Sequence, residues 1–280
     1  MSRKVREIIS GFYYLPGLSD SGAIMRHMEL LTARVCDEYD SPDLAVLVTG
    51  FRGESAQLAE AAQTLRMFGH NTITYSFAED VFLAGDPELL LQAVNECVED
   101  VLRRLQPDLL QHDKTVPLQQ GQYDLILPVG VSTGALFTLA LQRQFGSSQG
   151  GIVQPGIYGA AGANTAQTIY HNPSLSPLRR AFQQRKVTEQ DLTQRWAELH
   201  VVPQDGFVLS LGVFDHIIHY RDMQQRIAAW RSKGTPILQR VLLATHSGTI
   251  DWFNHHMADL IHLHDRLCEA QAGLDLPHFE

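Results

Sequence analysis

The hydrophobic positions along the chain form short apolar runs that alternate with longer amphipathic segments. The short runs are bounded by Gly, Pro or Asp, which is typical of strands that are covered on both faces of a sheet. The predicted strands are Leu44–Val48, Thr72–Tyr75, Asp124–Pro128, Gly151–Val153, Phe207–Leu211 and Val241–Ala244, with Ile8–Leu15 as a candidate edge strand.

The amphipathic segments carry apolar residues at helical spacing on one side. The predicted helices are Gly22–Tyr39, Ser55–Phe68, Pro87–Leu105, Ala135–Phe145, Tyr220–Lys233 and Asp251–Cys268. Strands that alternate with helices of this length predict βαβ units. The predicted fold class is therefore α/β, with a mostly parallel sheet and helices on both of its faces.

Two stretches interrupt this alternation. Gln106–Gly121 is polar and contains two prolines, so it is predicted to be a surface loop. Gly159–Asp205 begins with small residues and becomes helical from Leu178 to about Leu199. We expect residues 1–280 to form a single domain, with a small lid insertion at about 159–205 over the carboxyl edge of the sheet.

The helical part of this insertion carries apolar residues, among them Leu192, Trp196 and Leu199. If these residues roof a pocket, Trp196 contacts the substrate and helps to exclude water. The alternative is that they pack on the domain as ordinary core.

A short motif, Gly130-Val131-Ser132-Thr133-Gly134, lies between a predicted strand and a predicted helix. A strand that turns sharply into a helix leaves no room for side chains beside the turn, which explains the two glycines. The turn exposes the Ser132 hydroxyl at the sheet edge, and the helix N-terminus favours developing negative charge there. Ser132 is the candidate nucleophile, although a serine between glycines also occurs in ordinary turns.

In this context the motif resembles the nucleophile turn of the α/β-hydrolase superfamily, and the resemblance spans about residues 44 to 265. That superfamily orders its triad as nucleophile, acid and base, so the resemblance implies an acid and a histidine after later strands. Asp215 follows the strand Phe207–Leu211 and a glycine turn, and His246 follows Val241–Ala244. The predicted catalytic triad is Ser132, Asp215 and His246.

Other interpretations of these residues exist. Asp215 could cap the helix that follows it, and His246 could be a polar loop residue. Asp222 and Asp251 are rival acids, but both lie inside predicted helices, and Asp205 precedes its strand.

The resemblance also implies an oxyanion hole built from backbone N–H groups. One donor is Thr133, and the other is Phe51, in a segment similar to the superfamily's H-G-x-x-G loop but with Thr49 in place of histidine. Arg52, beside this donor, is a candidate for binding a substrate carboxylate or phosphate. It could equally be a solvent-exposed charge at a helix start.

These features together predict an esterase or thioesterase that works through an acyl-enzyme on Ser132. The expected partner is a small-molecule acyl substrate, with no cofactor, and a homo-oligomer stays possible. An acyltransferase with the same triad and a non-catalytic binding protein on the same scaffold are the alternatives.

Charge and cysteine content narrow the possible partners and the cellular location of the protein. The net charge of −9 without a basic stripe argues against nucleic-acid binding. No apolar run approaches the ~20 residues of a membrane span. Cys36, Cys97 and Cys268 show no C-x-x-C spacing, and the first residues lack an apolar segment of signal length, so we expect reduced thiols and a cytoplasmic location.

A histidine cluster near the C-terminus suggests metal binding at first sight. Its members are His255, His256, His262 and His264. They do not have a known ligand spacing, so we interpret them as a polar helix face and predict no metal site.

Overall fold

The computed structural model describes residues 6–13, 28–36, 43–105, 125–146, 152–162 and 164–272. Within these residues the strands form one eight-stranded sheet in the order β1-β2-β4-β3-β5-β6-β7-β8. The strands are β1 Arg6–Tyr13, β2 Met28–Cys36, β3 Asp43–Val48, β4 Asn71–Phe77, β5 Leu125–Val131, β6 Gly156–Gly159, β7 Phe207–Gly212 and β8 Ile237–Leu242.

The six strands from β4 to β8 in this order are parallel, whereas β1 and β2 pair antiparallel at one edge. The chain winds from β3 to β4 on one side and then returns to β5 on the other. Ligands of open α/β sheets bind outside the carboxyl ends of the strands at such a reversal. The segments that follow β3 and β5 therefore lie where a site is expected.

Helices cover both faces of the sheet, as the sequence predicted. They are α1 Ala59–Met67, α2 Glu79–Leu83, α3 Pro87–Leu105, α4 Gly134–Phe145, α5 Thr165–His171, α6 Ser176–Gln184, α7 Glu189–Arg195, α8 Tyr220–Arg231, α9 His246–His255 and α10 Met257–Gln271. Alternate β3 residues serve two cores: Leu44 and Val46 pack with α3 and α4, and Ala45 and Leu47 pack with α1, α9 and α10.

Between β6 and β7, residues 164–200 form a helical segment that we call the cap; it contains α5, α6 and α7. The cap docks on the segment that leads into α3. The Trp196 indole N–H donates to the Pro87 carbonyl over 3.1 Å, and Arg195 pairs with Glu88 at 2.6 Å. A β-carbon on Gly85 would lie 2.2 Å from the Ala181 carbonyl oxygen, so this glycine permits the close approach. The role of the cap as a lid stays a prediction.

Two predicted elements are wrong. The helix expected over Gly22–Tyr39 overlaps β2, whose pairing with β1 and β4 outweighs a helical hydrophobic pattern. The strand expected at Gly151–Val153 is only an isolated bridge at Val153, and β6 begins at Gly156. β6 has just two apolar side chains between glycines, too few to show a period.

Smaller differences concern boundaries and one loop. The last strand runs from Ile237 to Leu242, so it shares only two residues with the predicted Val241–Ala244. It ends early because Thr245 already caps α9. The region Asp251–Cys268 spans the end of α9 and most of α10 instead of one helix. The predicted loop Gln106–Gly121 lies outside the described residues.

Candidate active site

Ser132 lies at the turn between β5 and α4, with a backbone φ of 52°. A non-glycine residue in this left-handed region is uncommon and persists where the surroundings enforce it. The flanking glycines supply that enforcement. A β-carbon on Gly130 would lie 2.7 Å from the Ala135 α-carbon, and one on Gly134 would lie 2.3 Å from the Val48 carbonyl oxygen. The turn is therefore open only to glycine at both positions, as the motif implied.

His246 is the first residue of α9, directly after the N-cap residue Thr245. Its Nε2 lies 3.1 Å from the Ser132 hydroxyl oxygen, and its Nδ1 lies 2.8 Å from Oδ2 of Asp215. Because a carboxylate only accepts hydrogen bonds, the Nδ1–H donates to Asp215. Nε2 then carries no proton, and its lone pair accepts a hydrogen bond from the Ser132 hydroxyl.

Asp215 is buried, and its carboxylate is fixed from both sides. Oδ1 accepts the backbone N–H groups of Ile217 and Ile218, each at 2.8 Å, which leaves Oδ2 for His246. Its turn packs against the histidine turn, since a β-carbon on Gly212 would lie 2.4 Å from the Ala244 carbonyl oxygen. One residue can thus cap its own turn and orient the histidine, which removes the conflict between the two interpretations of Asp215.

The rival acids lie apart from this arrangement. Asp251 is exposed on α9 and has its carboxylate 3.3 Å from His255 Nε2. Asp222 belongs to α8 and borders a separate depression beside α5. Neither is hydrogen-bonded to His246.

The loop after β3 faces Ser132. A β-carbon on Gly50 would lie 2.9 Å from the Ser132 β-carbon, so the loop backbone approaches the serine closely. In the part of the chain that the structure describes, the N–H groups of Phe51 and Thr133 donate to no protein acceptor. Both are thus free to bind an oxyanion, together with the positive end of the α4 dipole.

Thr49 anchors this loop, although sequence reasoning treated it only as a departure from the H-G-x-x-G pattern. Its hydroxyl, fully buried, donates to the Gly53 carbonyl over 2.8 Å. The Gly53 N–H in turn donates to the Gly50 carbonyl over 2.9 Å. Threonine therefore closes the loop through a side-chain hydrogen bond.

The charge of Arg52 is directed at Glu79. Its Nε–H donates to the Glu79 carboxylate over 2.6 Å, and more than half of its side chain is exposed. Arg52 is not among the residues that line the cavity described next. A role in binding a substrate anion stays a prediction.

A cavity of about 620 Å³ opens on Ser132 and His246. One side of it, which we call the apolar wall, comes from α2, α3, α4 and the cap: Phe82, Leu90, Leu136, Ile169, Leu175, Leu178 and Trp196. The opposite side, the polar wall, comes from α9 and the turn before α1: Gln57, Ser247, Asp251 and Asn254. Cavities of this size bind small molecules and are usually mostly apolar with a few polar groups.

Trp196 belongs to both the cavity and the core. It lines the cavity, yet only 1% of its surface is exposed, and its ring packs edge-on against Phe182 at 5.7 Å. Ile169 and Leu175 could not be singled out from the sequence, since each is an isolated aliphatic residue in a short and mostly polar stretch. The polar wall had a signal in the spacing of Ser247, Asp251 and Asn254.

The four C-terminal histidines each have a different neighbour. His255 pairs with Glu60 and Asp251, and His256 stacks on Trp252. Burial lowers the pKa of His264 below its usual value, against the opposing effect of Asp265. Among the described residues no group of His, Cys, Asp and Glu side chains is arranged to hold a metal ion.

No helix in the described ranges is long and apolar enough to cross a membrane. Neither Cys97 nor Cys268 forms a disulfide in the part of the chain that the structure describes. Burial raises the pKa of the Cys268 thiol to about 11, so it is not a reactive thiolate near neutral pH.

No family model matches the chain, and no curated protein sequence matches it. Solved structures do. An esterase from Pyrococcus furiosus superposes with a TM-score of 0.56 at 14% identity, over 94% of this chain and 91% of that one. The S-formylglutathione hydrolase of Staphylococcus aureus gives 0.52 at 15% identity, over 94% and 97%. A Thermogutta terrifontis esterase with bound propionate gives 0.51 at 13% identity, over 89% and 92%.

Together with the strand order, these superpositions establish the α/β-hydrolase fold for this chain. The fold predicted from the sequence is confirmed.

Proposed function

We propose that this protein is a serine hydrolase that cleaves carboxylic esters or thioesters through an acyl-enzyme on Ser132. The observation that carries the proposal is the continuous hydrogen-bond chain from Ser132 through His246 to Asp215 at the mouth of the cavity. The structural neighbours, two esterases and an S-formylglutathione hydrolase, agree with this class of reaction.

In the first half-reaction His246 Nε2 takes the hydroxyl proton as the Ser132 oxygen attacks the substrate carbonyl. The resulting oxyanion binds the N–H groups of Phe51 and Thr133, and Asp215 stabilises the imidazolium. The imidazolium then gives its proton to the leaving oxygen or sulfur as the bond to the acyl carbon breaks. Water repeats these steps on the acyl-enzyme and releases the acid.

Covalent labelling with a fluorophosphonate tests the nucleophile. Ser132→Ala should abolish labelling and p-nitrophenyl ester hydrolysis while the circular dichroism spectrum stays unchanged. Ser174→Ala, which removes an exposed cap hydroxyl outside the cavity lining, is the matched control and should keep both activities. Labelling that survives Ser132→Ala would refute the assignment.

A further inference from the structure

The two walls of the cavity lie on opposite faces of the sheet. All seven residues of the apolar wall belong to, or pack against, the core that includes Leu44 and Val46 of β3. The polar wall is on the other side, where Ile250 of α9 packs in the core that includes Ala45 and Leu47. Ser132 follows β5 at the sheet edge and therefore lies between the two walls.

Three of the four residues of the polar wall lie along one side of α9, which also brings Ile250 into the cavity lining. Ser247, Asp251 and Asn254 are four and three residues apart, so they follow one another along one side of the helix. The Asn254 side-chain oxygen accepts the Ala61 N–H over 2.9 Å, which fixes the amide group. The Asn254 side-chain nitrogen has no hydrogen-bond acceptor among the described residues. Gln57 adds a second amide from the turn before α1.

The chemistry of the triad assigns an orientation to the substrate. His246 Nε2 must give its proton to the leaving oxygen, so the leaving group lies on the His246 side of Ser132. His246 is the first residue of α9, and the polar wall continues along that helix. The acyl group, attached to the Ser132 oxygen, is left the opposite direction, toward the apolar wall.

The charges around the cavity favour leaving groups without negative charge. His246 and Asp251 are the titratable residues that line it, and among the described residues no lysine or arginine does so. Glu60, outside the lining, shares His255 with Asp251. A negatively charged leaving group would meet the Asp251 carboxylate, whereas the hydroxyl or ammonium group of an alcohol would find a hydrogen-bond acceptor or an opposite charge there.

We infer that the substrate straddles the sheet edge, with an apolar acyl chain against the cap and a polar alcohol without negative charge against α9. This inference rests on the proposed function, and it names the substrate class of the same site. Two residues determine specificity in this site: Asp251 for the alcohol of the substrate and Leu175 for its acyl chain.

The first arm of the test varies the alcohol at constant acyl group. Hexanoyl esters of choline, glycerol and glycolate are compared by kcat/KM. Choline and glycerol esters should be preferred over the glycolate ester. Asp251→Asn should lower the choline-to-glycolate ratio by about threefold, the range of a solvent-exposed ion pair. Asp259→Asn removes another exposed carboxylate, from α10 and outside the cavity lining, and should leave the ratio unchanged.

The second arm varies the acyl chain at constant alcohol. Leu175→Trp fills part of the apolar wall from the half-buried turn between α5 and α6, so it should shift the preference toward short chains. It should leave the choline-to-glycolate ratio unchanged, and Asp251→Asn should leave the chain-length preference unchanged. The inference would be overturned if Leu175→Trp changed the choline-to-glycolate ratio or if Asp251→Asn changed the chain-length preference. It would also be overturned if Asp251→Asn affected the choline-to-glycolate ratio no more than Asp259→Asn does.

Failure of the inference differs from failure of the proposed function. Ser132-dependent hydrolysis of p-nitrophenyl esters, whose alcohol makes no use of the polar wall, reports on the function alone. If that activity is present and the alcohol ratios are flat, only the substrate assignment is wrong. If it is absent, the acyl-enzyme proposal itself falls, and the inference falls with it.

Discussion

At the scale of single residues, Asp215 binds two backbone N–H groups with one oxygen and His246 with the other. In Asp215→Asn the oxygen can still accept from Ile217 and Ile218, but the amide nitrogen then faces His246. The histidine must take the tautomer whose Nε2 carries the proton, which cannot accept from Ser132. We expect kcat to fall by roughly 10³- to 10⁴-fold with a smaller change in KM.

Steady-state kinetics with a p-nitrophenyl ester provide the measurement, and Asp222→Asn is the matched control on the neighbouring helix. Near wild-type activity in Asp215→Asn, with loss of activity in Asp222→Asn or Glu79→Gln, would show that the acid is misassigned. His246→Ala should resemble Asp215→Asn or be worse, because the three residues act as a unit.

Thr49 gives a second prediction at this scale. Thr49→Val keeps the shape of the side chain but removes the hydrogen bond to Gly53, so the loop that carries the Phe51 N–H loses its closure. We expect kcat to fall by roughly 10- to 100-fold with the fold retained, since small displacements of a catalytic group are costly. Thr49→Ser keeps the hydroxyl and should restore most of the activity. Equal losses in both variants would contradict the anchoring role.

The residues that meet in the candidate site were largely accessible from the sequence. The hydrogen-bonded group of Ser132, Asp215 and His246 could be predicted because a glycine turn, strand ends and chain order leave local marks. The contact between Thr49 and Gly53 could not, since one threonine in a loop has many possible partners. The Arg52 ion pair with Glu79 was equally invisible, because it joins two segments that only the folded sheet brings together.

At the scale of elements, the cap presents Trp196 both to the cavity and to the core. Trp196→Ala removes the ring and its hydrogen bond to Pro87, so it should cost about 3–5 kcal/mol of unfolding free energy. It should also enlarge the cavity and raise kcat/KM for long acyl esters relative to short ones. Thermal unfolding and an acyl-chain series measure the two effects.

Phe182→Ala is the control, because Phe182 packs on Trp196 but does not line the cavity. It should lower stability without changing the chain-length ratio. An unchanged ratio in Trp196→Ala would mean that Trp196 acts only in the core and that other residues set acyl selectivity.

Two physical causes explain the elements that could not be predicted from the sequence. β2 contains leucines and alanine that suit a helix, and it becomes a strand through pairing with β1 and β4. β6 has four residues and α5 has seven, so neither contains enough positions for a hydrophobic period. The long helix α3, by contrast, was predicted to the residue.

At the scale of the whole molecule, the parallel sheet followed from alternating strands and helices. The face that each helix covers could not be predicted. It depends on which side of the growing sheet the next strand joins, and the sequence does not show that strand order. The division into two cores on either side of β3 decides which side chains meet at Ser132. The cavity is thus a property of the assembled sheet and could not be predicted from any one segment.

Stability of the whole molecule should depend on pH through His264. Burial lowers its pKa in the folded protein, with Asp265 opposing and His70 adding to the shift. Burial lowers the pKa of His70 as well. The unfolded chain therefore binds more protons below the ordinary value of 6.5, and the stability present above that pH is lost as the pH falls.

We expect the unfolding temperature to drop between about pH 7 and about pH 5.5, where unperturbed histidines titrate. His264→Gln should reduce this drop. His262→Gln, at an exposed position of the same helix, should leave it unchanged. Identical drops in all three proteins would place the pH dependence elsewhere.

The φ of 52° at Ser132 also bears on how heat-resistant this protein can be. Glycine adopts that backbone conformation freely, whereas any residue with a β-carbon pays about 1–2 kcal/mol there. Ser132→Gly should consequently melt at a higher temperature than Ser132→Ala, although both should be inactive. The proposed nucleophile occupies the point of the turn where glycine would suit the fold better, so selection for turnover and selection for thermal stability should oppose each other at this residue.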